Sequence, residues 1–196
     1  MDISPKAISL ARRNLRHNLN PEVGSLDVSA AGGGGGGVRF VQGDVFDLTS
    51  WAESASQFFS TTTDPGEELE VDIVISNPPY ISPRDYCTTT ARSVRRWEPK
   101  NALVPPVTTT SAPALGDDFY PHIVRLALDI RAKALLVEVG GDEGQAERVR
   151  GMFASIWGGR GNTAVWRDWG GRGRGVVAWR GGGEGWGWLG EDVVKD

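Results

Sequence analysis

The sequence has little of what disulfide-bonded, zinc-binding or membrane proteins need. Its 196 residues include one cysteine, Cys87, and two histidines, so an intrachain disulfide is impossible and a zinc site has almost no ligands. No apolar run approaches the roughly 20 residues of a membrane-spanning helix. These absences predict an intracellular protein, mitochondrial or cytoplasmic, with no metal site and no membrane contact.

Excess positive charge is also missing. The formal net charge is −4, so the chain lacks the overall basic character of a nucleic-acid-binding domain. Three short basic runs, at 12–13, 92–96 and 172–174, are of the kind that usually forms a solvated face. Composition therefore argues against direct nucleic-acid binding.

The most informative stretch is 70–80, which reads Glu-Val-Asp-Ile-Val-Ile-Ser-Asn-Pro-Pro-Tyr. Its β-branched residues predict a strand buried on both faces of a parallel sheet. The two prolines end that strand, because neither can donate a hydrogen bond to a neighbouring strand. Asn77 is then expected at the carboxyl end of a strand, the edge at which open α/β sheets bind ligands.

This strand end suits chemistry at a planar nitrogen, and we assign catalytic roles to Asn77, Pro78, Pro79 and Tyr80. The side-chain carbonyl of Asn77 and the main-chain carbonyl of Pro78 could accept both N–H groups of an amide or amino nitrogen and aim it at an electrophile. Tyr80 could supply an aromatic wall. Positioning of this kind can lower a reaction barrier by about 7–11 kcal/mol at best. The simpler alternative is a strand followed by a Pro-Pro turn.

Asn-Pro-Pro-Tyr after an aliphatic strand resembles the signature of S-adenosylmethionine-dependent methyltransferases that act on planar nitrogens. That group includes adenine-N6 and cytosine-N4 DNA enzymes, guanine-N2 RNA enzymes and the HemK/PrmC glutamine methyltransferases of release factors. Two further stretches resemble HemK/PrmC proteins: Asp2-Ile3-Ser4-Pro5-Lys6-Ala7, and the segment 97–103, Trp-Glu-Pro-Lys-Asn-Ala-Leu. Glu98 is expected to tie that second segment to the site.

The resemblance implies a binding site for S-adenosylmethionine. By analogy with the family, Asp2 would accept hydrogen bonds from both ribose hydroxyls, since a carboxylate can take two donors. Asp44 would contact the adenine amino group, and Val45 would pack beside the ring. Ile3 and Asn77 complete the implied cofactor-binding residues.

The implied fold is α/β, a Rossmann-like class I methyltransferase sheet that ends in a C-terminal antiparallel hairpin and is incomplete at the N-terminus. The family's first strand, Gly-x-Gly-x-Gly cofactor loop and N-terminal domain have no match here, so an N-terminally truncated protein is expected. A sheet without its first strand would expose two edges, which predicts poor stability or aggregation.

The predicted organisation is a partial catalytic domain over 1–180 and a Gly/Trp-rich, disordered tail over 181–196. Within the domain we expect a glycine-rich linker over 29–37 and an insertion over 105–114. Residue spacing predicts the remaining elements: a helix to about Asn18, a polar loop over 81–90, a buried strand over 134–140, a helix over 145–156, and antiparallel strands over 163–169 and 175–180.

The function implied by the resemblance is methylation of the glutamine side-chain amide in the Gly-Gly-Gln motif of a translation release factor, the expected protein partner. Two alternatives remain open. One is a nucleic-acid base methyltransferase acting on adenine N6 or guanine N2, which would need a basic cleft. The other is a non-catalytic remnant, which the missing glycine loop supports.

Overall fold

A computed structural model describes residues 1–18, 38, 40–47, 71–106, 114–141, 144–157, 161–181 and 186–190. The predicted linker 29–37 and most of the predicted insertion 105–114 lie outside the described residues. The chain divides into two compact units, Met1–Leu69 and Glu70–Asp196.

The first unit contains helix α1, Pro5–Asn18. The hydroxyl of Ser4 accepts a hydrogen bond from the Ala7 N–H at 3.3 Å, and Pro5 fits the first helical position because its missing N–H is not needed there. Ile8 is the buried residue of this helix. The helix predicted to end near Asn18 is confirmed.

The second unit is built on a mixed four-stranded sheet with the order β1-β2-β4-β3. β1 pairs in parallel with β2, and β4 is antiparallel to both β2 and β3. The predicted α/β sheet with a C-terminal antiparallel hairpin is therefore confirmed. The strands are β1, Ile73–Ser76; β2, Ala134–Glu138; β3, Gly161–Arg167; and β4, Gly173–Arg180.

The described residues of this unit also form four α-helices: α2, Pro83–Thr88; α3, Arg92–Trp97; α4, Tyr120–Asp129; and α5, Gln145–Trp157. A short 3-10 helix, Lys100–Ala102, follows α3. Helix α5 packs on β3, β4 and α4. The core between these elements consists of aliphatic and aromatic residues recurring at helical and strand spacing, including Tyr120, Val124, Leu135, Val137, Val149, Phe153 and Val176. No helix in the described part of the chain is long and apolar enough to cross a membrane.

Strand β1 differs from its prediction as a strand buried on both faces. Ile73 is 44% exposed and Ile75 is 71% exposed. The reason is position: β1 is at the edge of the described sheet and pairs there with β2 alone. Its β-branched residues specified a strand correctly, but burial depends on neighbours that composition does not reveal.

The predicted polar loop over 81–90 is also wrong, because helix α2 occupies most of it. The Ser82 hydroxyl caps this helix by accepting a hydrogen bond from the Asp85 N–H at 3.0 Å. Pro83 stands at the first helical position. The signal was in the sequence, since Ser-Pro-x-Asp is a helix-start pattern.

Part of the predicted disordered tail has a defined place. Residues Gly187–Gly190 form a 3-10 turn, and Leu189 is buried in a cluster with Ala134, Val177 and Trp179. The Trp166 indole N–H donates to the Leu189 carbonyl at 3.0 Å. Apolar contact thus holds this turn against the sheet; tail residues 182–185 and 191–196 lie outside the described residues.

Candidate active site

The parallel pairing of β1 and β2 brings two polar residues to one edge of the sheet. Ser76 is in register with Val137, so Asn77 and Glu138 follow at the same carboxyl edge. Asn77 is exposed, whereas Pro78 is buried. The local sequence therefore presents the Asn77 side chain outward from a fixed backbone, as expected for a ligand-binding strand end.

A cleft of about 500 Å³ lies beside Asn77. Its walls combine apolar residues from the sheet face with charged residues of both signs. The described residues that line it are Ile75, Ser76, Asn77, Leu136, Val137, Glu138, Trp166, Arg167, Arg174 and Gly175.

The side chain of Tyr80 is fixed by Glu138. The phenol O–H donates to Glu138 Oε1 at 2.9 Å, and an Arg174 guanidinium nitrogen lies 3.5 Å from the same oxygen. Burial of the ring, followed by the hydrogen bond and negative charge of Glu138, raises the pKa of Tyr80 above its ordinary value of 10.0. The phenol is therefore a hydrogen-bond donor at neutral pH.

The backbone after the prolines is fixed separately. The Tyr80 carbonyl accepts a hydrogen bond from Gln145 Nε2 at 3.1 Å, and the Ile81 N–H donates to the Leu103 carbonyl at 2.9 Å. The segment 97–103 is thus tied to the site by the Leu103 backbone, whereas Glu98, expected to make that tie, has an exposed side chain.

Gly116 allows another segment to approach Tyr80 closely. Its φ is +86°, and a Cβ atom there would overlap the Tyr80 carbonyl oxygen. Only glycine avoids both the backbone strain and that overlap. Gly116, Glu138 and Gln145 were not predicted from the sequence, because their roles depend on contacts with Tyr80 that no local sequence pattern indicates.

The residues predicted to bind the nucleoside part of the cofactor lie together in the first unit. Asp2 forms a parallel bridge with Gln42, and the Gly43 N–H donates to the Asp2 carbonyl at 3.1 Å. This pairing brings Asp2 and Ile3 close to Asp44 and Val45.

Both carboxylates fit a hydroxyl- or amino-bearing ligand. Asp2 Oδ1 accepts a hydrogen bond from the Ser4 N–H at 2.7 Å, and Asp44 Oδ1 accepts one from the Phe46 N–H at 3.0 Å. Within the described residues, the second oxygen of each carboxylate accepts no hydrogen bond. Asp2 is exposed and Asp44 half-buried, so these oxygens could receive the donors of a ribose and an adenine.

The predicted residues therefore form two groups, one in each unit. Asp2, Ile3, Asp44 and Val45 lie in Met1–Leu69, whereas 77–80 lies in Glu70–Asp196. The parallel β1–β2 pair and the adjoining antiparallel hairpin are the arrangement expected for this part of a Rossmann-like methyltransferase sheet.

Comparison with known proteins specifies the resemblance further. The chain is 30% identical over 161 residues, 78% of its length, to the probable MRF1 mitochondrial N(5)-glutamine methyltransferase mtq1 of Schizosaccharomyces pombe. This match confirms the resemblance to HemK/PrmC-type glutamine methyltransferases. The chain spans less than half of that relative, 42% of its length.

Two other comparisons complete these findings. The chain is similar to the crystal structure of the hMettl16 catalytic domain in complex with the MAT2A 3′UTR hairpin 1. The identity is 17%, with a TM-score of 0.37, over 63% of this chain and 43% of that one. No family model matches the chain.

Proposed function

We propose that this chain takes part in S-adenosylmethionine-dependent methylation of a glutamine side-chain amide in the Gly-Gly-Gln motif of a release factor. The observation that supports this most strongly is the similarity to mtq1, named as an MRF1 N(5)-glutamine methyltransferase. The placement of 77–80 at the carboxyl edge of the sheet, beside a cleft, supports it independently.

The chain's own residues would bind and orient the amide. Its two N–H groups need two acceptors, which the Asn77 side-chain carbonyl and the Pro78 main-chain carbonyl would supply. Proline fixes φ near −65°, so the two acceptors keep their relative direction with little conformational freedom. Tyr80, held by Glu138, would flank the amide plane.

S-adenosylmethionine, when bound, supplies a methyl group on a positively charged sulfur. Asp2 and Asp44 would hold its ribose and adenine through their remaining carboxylate oxygens, with Ile3 and Val45 beside the ring. Asn77 is the proposed residue common to cofactor and substrate. An amide nitrogen is a weak nucleophile, so the contribution we assign to these residues is positioning.

We favour a protein over a nucleic acid as the substrate. Among the described residues, the charged side chains that line the cleft are Glu138, Arg167 and Arg174, and Glu138 and Arg174 lie within 3.5 Å of each other. A phosphate backbone would instead be favoured by an uncompensated basic surface. The relative's mitochondrial name supports action on a mitochondrial release factor.

Methyl transfer can be tested with methyl-labelled S-adenosylmethionine and the purified chain. Three acceptors would be supplied separately: a mitochondrial release factor, the same factor with its Gly-Gly-Gln glutamine replaced by alanine, and a mixture of RNA and DNA. We expect label in the first acceptor alone. Label in nucleic acid would support a base methyltransferase, and no label in any acceptor would support a non-catalytic remnant.

The role of Asn77 has its own test. Asn77→Ala removes one of the two proposed acceptors, so we expect transfer to fall by about 100-fold or more, as for loss of one preorganised polar group elsewhere. Cofactor binding, measured by calorimetry, should weaken but persist, because the Asn77 contact is lost while Asp2 and Asp44 are untouched. Asn162→Ala, at an exposed asparagine on β3, is the matched control. Wild-type turnover by Asn77→Ala would refute the assignment.

A further inference from the structure

We propose that Gln145 is a positioning residue that sets the geometry of the Asn77–Tyr80 segment. The inference rests on the proposed function for its effect on turnover. Its structural part, the fixing of Tyr80 by one buried amide, stands on contacts within the second unit.

Gln145 is an unusual residue for its surroundings. It is the first residue of α5 and is only 1% exposed; among the described residues, the other buried polar side chain is Ser82. Burying an amide costs free energy unless its donors and acceptor are all hydrogen-bonded. An apolar residue would avoid that cost, so the amide is expected to have a specific role.

The hydrogen-bond partners of the amide define its orientation. Gln145 Oε1 accepts from the Gly140 N–H at 2.7 Å. Gln145 Nε2 lies 3.1 Å from the Tyr80 carbonyl and 2.9 Å from Asp117 Oδ1, with the Gly116 carbonyl at 3.5 Å. The opposite orientation would place the amide oxygen against three oxygens and leave the Gly140 N–H facing an NH₂ group.

One side chain therefore joins three segments that are distant in sequence. They are the end of Asn77–Tyr80, the loop before α4, and the exit from β2. Asp117 is itself fixed by Arg148, whose Nε lies 2.7 Å from Asp117 Oδ2. The amide thus connects Tyr80 to helix α5 and to a buried part of the sheet.

Tyr80 is consequently held at two points. Its hydroxyl is bound by Glu138 and its carbonyl by Gln145. Only Pro79 separates Tyr80 from Pro78, and proline removes one backbone torsion from that connection. The direction of the Pro78 carbonyl, one of the two proposed amide acceptors, therefore depends on the buried amide without any contact between Gln145 and substrate.

Gln145→Met removes the amide hydrogen bonds but largely keeps the packing, because methionine has a similar length and volume. We expect kcat to fall by about 10- to 100-fold, the effect of misplacing a group by about 1 Å. The cofactor dissociation constant should change much less than kcat, because Asp2 and Asp44, the proposed nucleoside-binding residues, lie in the other unit. Ser155→Ala, at an exposed residue of the same helix, should leave kcat, KM and the cofactor dissociation constant unchanged.

Backbone hydrogen exchange tests the positioning without methyl transfer. In Gln145→Met, exchange should accelerate in the peptide containing Ile81, while peptides from β2 and β4 keep wild-type rates. Equal acceleration in all peptides would overturn the proposal, because it would show a purely structural role. Wild-type exchange at Ile81 in a folded Gln145→Met variant would also overturn it. A wild-type chain without methyltransferase activity would refute the proposed function and leave this second test intact.

Discussion

At the scale of single residues, the site depends on the hydrogen-bond partners that fix the side chain of Tyr80. The phenol of Tyr80 donates to Glu138, and the pKa of that phenol is raised by burial first and by the carboxylate second. A neutral Tyr80 is therefore part of the folded arrangement. The folded protein loses the neutral, hydrogen-bonded form of Tyr80 only when the phenol ionises at alkaline pH.

Glu138→Gln should lower the pKa of Tyr80 towards its ordinary value, because the substitution removes a negative charge but leaves an oxygen acceptor. The phenolate absorbance of the variant would be titrated against that of the wild type, with Tyr80→Phe identifying the Tyr80 contribution. An unchanged or higher Tyr80 pKa in Glu138→Gln would contradict the contact.

The same shift has a consequence for stability. Because the folded-state pKa of Tyr80 lies above the unfolded value of 10.0, the stabilisation is fully present below pH 10.0 and is lost as pH rises through the folded value. Tyr80→Phe should therefore show a weaker loss of stability at alkaline pH than the wild type does.

The sequence allowed Asn77–Tyr80 to be predicted, but not the residues that hold it. Two prolines restrict the backbone locally, so the strand end can be read from adjacent residues. Glu138 and Gln145 lie 58 and 65 positions from Tyr80. Their roles follow from the tertiary fold, which no local periodicity encodes. Asp2 and Asp44 are proposed cofactor-binding residues through the family resemblance alone.

At the scale of elements, the loop before α4 is constrained by the backbone of the site. Gly116 has a positive φ and would direct a Cβ at the Tyr80 carbonyl, whereas Gly171, with φ of +74°, would direct one into open space. A comparison of Gly116 with Gly171 therefore separates the cost of backbone strain from the cost of steric overlap.

Gly116→Ala should destabilise the protein more than Gly171→Ala. Both carry the left-handed backbone cost of about 1–2 kcal/mol, but only the Gly116 variant must also displace Tyr80. Urea unfolding of the two variants would measure the difference. Equal losses of unfolding free energy would show that the loop before α4 adapts without cost.

Element prediction succeeded where the signals were local and failed where burial was decided elsewhere. Helix α5 was predicted from its apolar face, and the β3–β4 hairpin from its glycine-rich turn. β1 was correctly predicted as a strand but wrongly as a buried one, because its exposure depends on the order of strands in the sheet. Helix α2 was missed although Ser82 and Pro83 form a recognisable helix start.

At the scale of the whole molecule, the edge position of β1 combines unpaired backbone with apolar side chains. Within the described sheet, β1 pairs on one side only, and Ile73 and Ile75 are exposed on it. Such an edge favours pairing between copies of a chain.

Ile75→Lys should therefore reduce self-association, because a charged residue on an edge strand opposes strand pairing between molecules. The stability of the monomer should change by no more than about 0.5 kcal/mol, as for other exposed positions. Light scattering against concentration would measure the effect. Leu10→Lys, at an exposed residue of α1, is the control; an equal reduction by both variants would contradict a role for the edge.

The contacts around Tyr80 also determine where the chain tolerates changes in length. Leu103 is bonded to Ile81, and Gly116 lies against the Tyr80 carbonyl, so the ends of the intervening stretch are both anchored at the same place. When the ends of a connection are held together, each doubling of its length costs only about 0.6 kcal/mol. Gly140 and Gln145 are only five positions apart and are joined by the Gly140 N–H to Gln145 Oε1 hydrogen bond. Short connections depart from this weak dependence on length, so an added residue there would displace one of the two hydrogen-bonded groups. Insertions between species are therefore expected in the first stretch, while the second keeps a fixed number of residues.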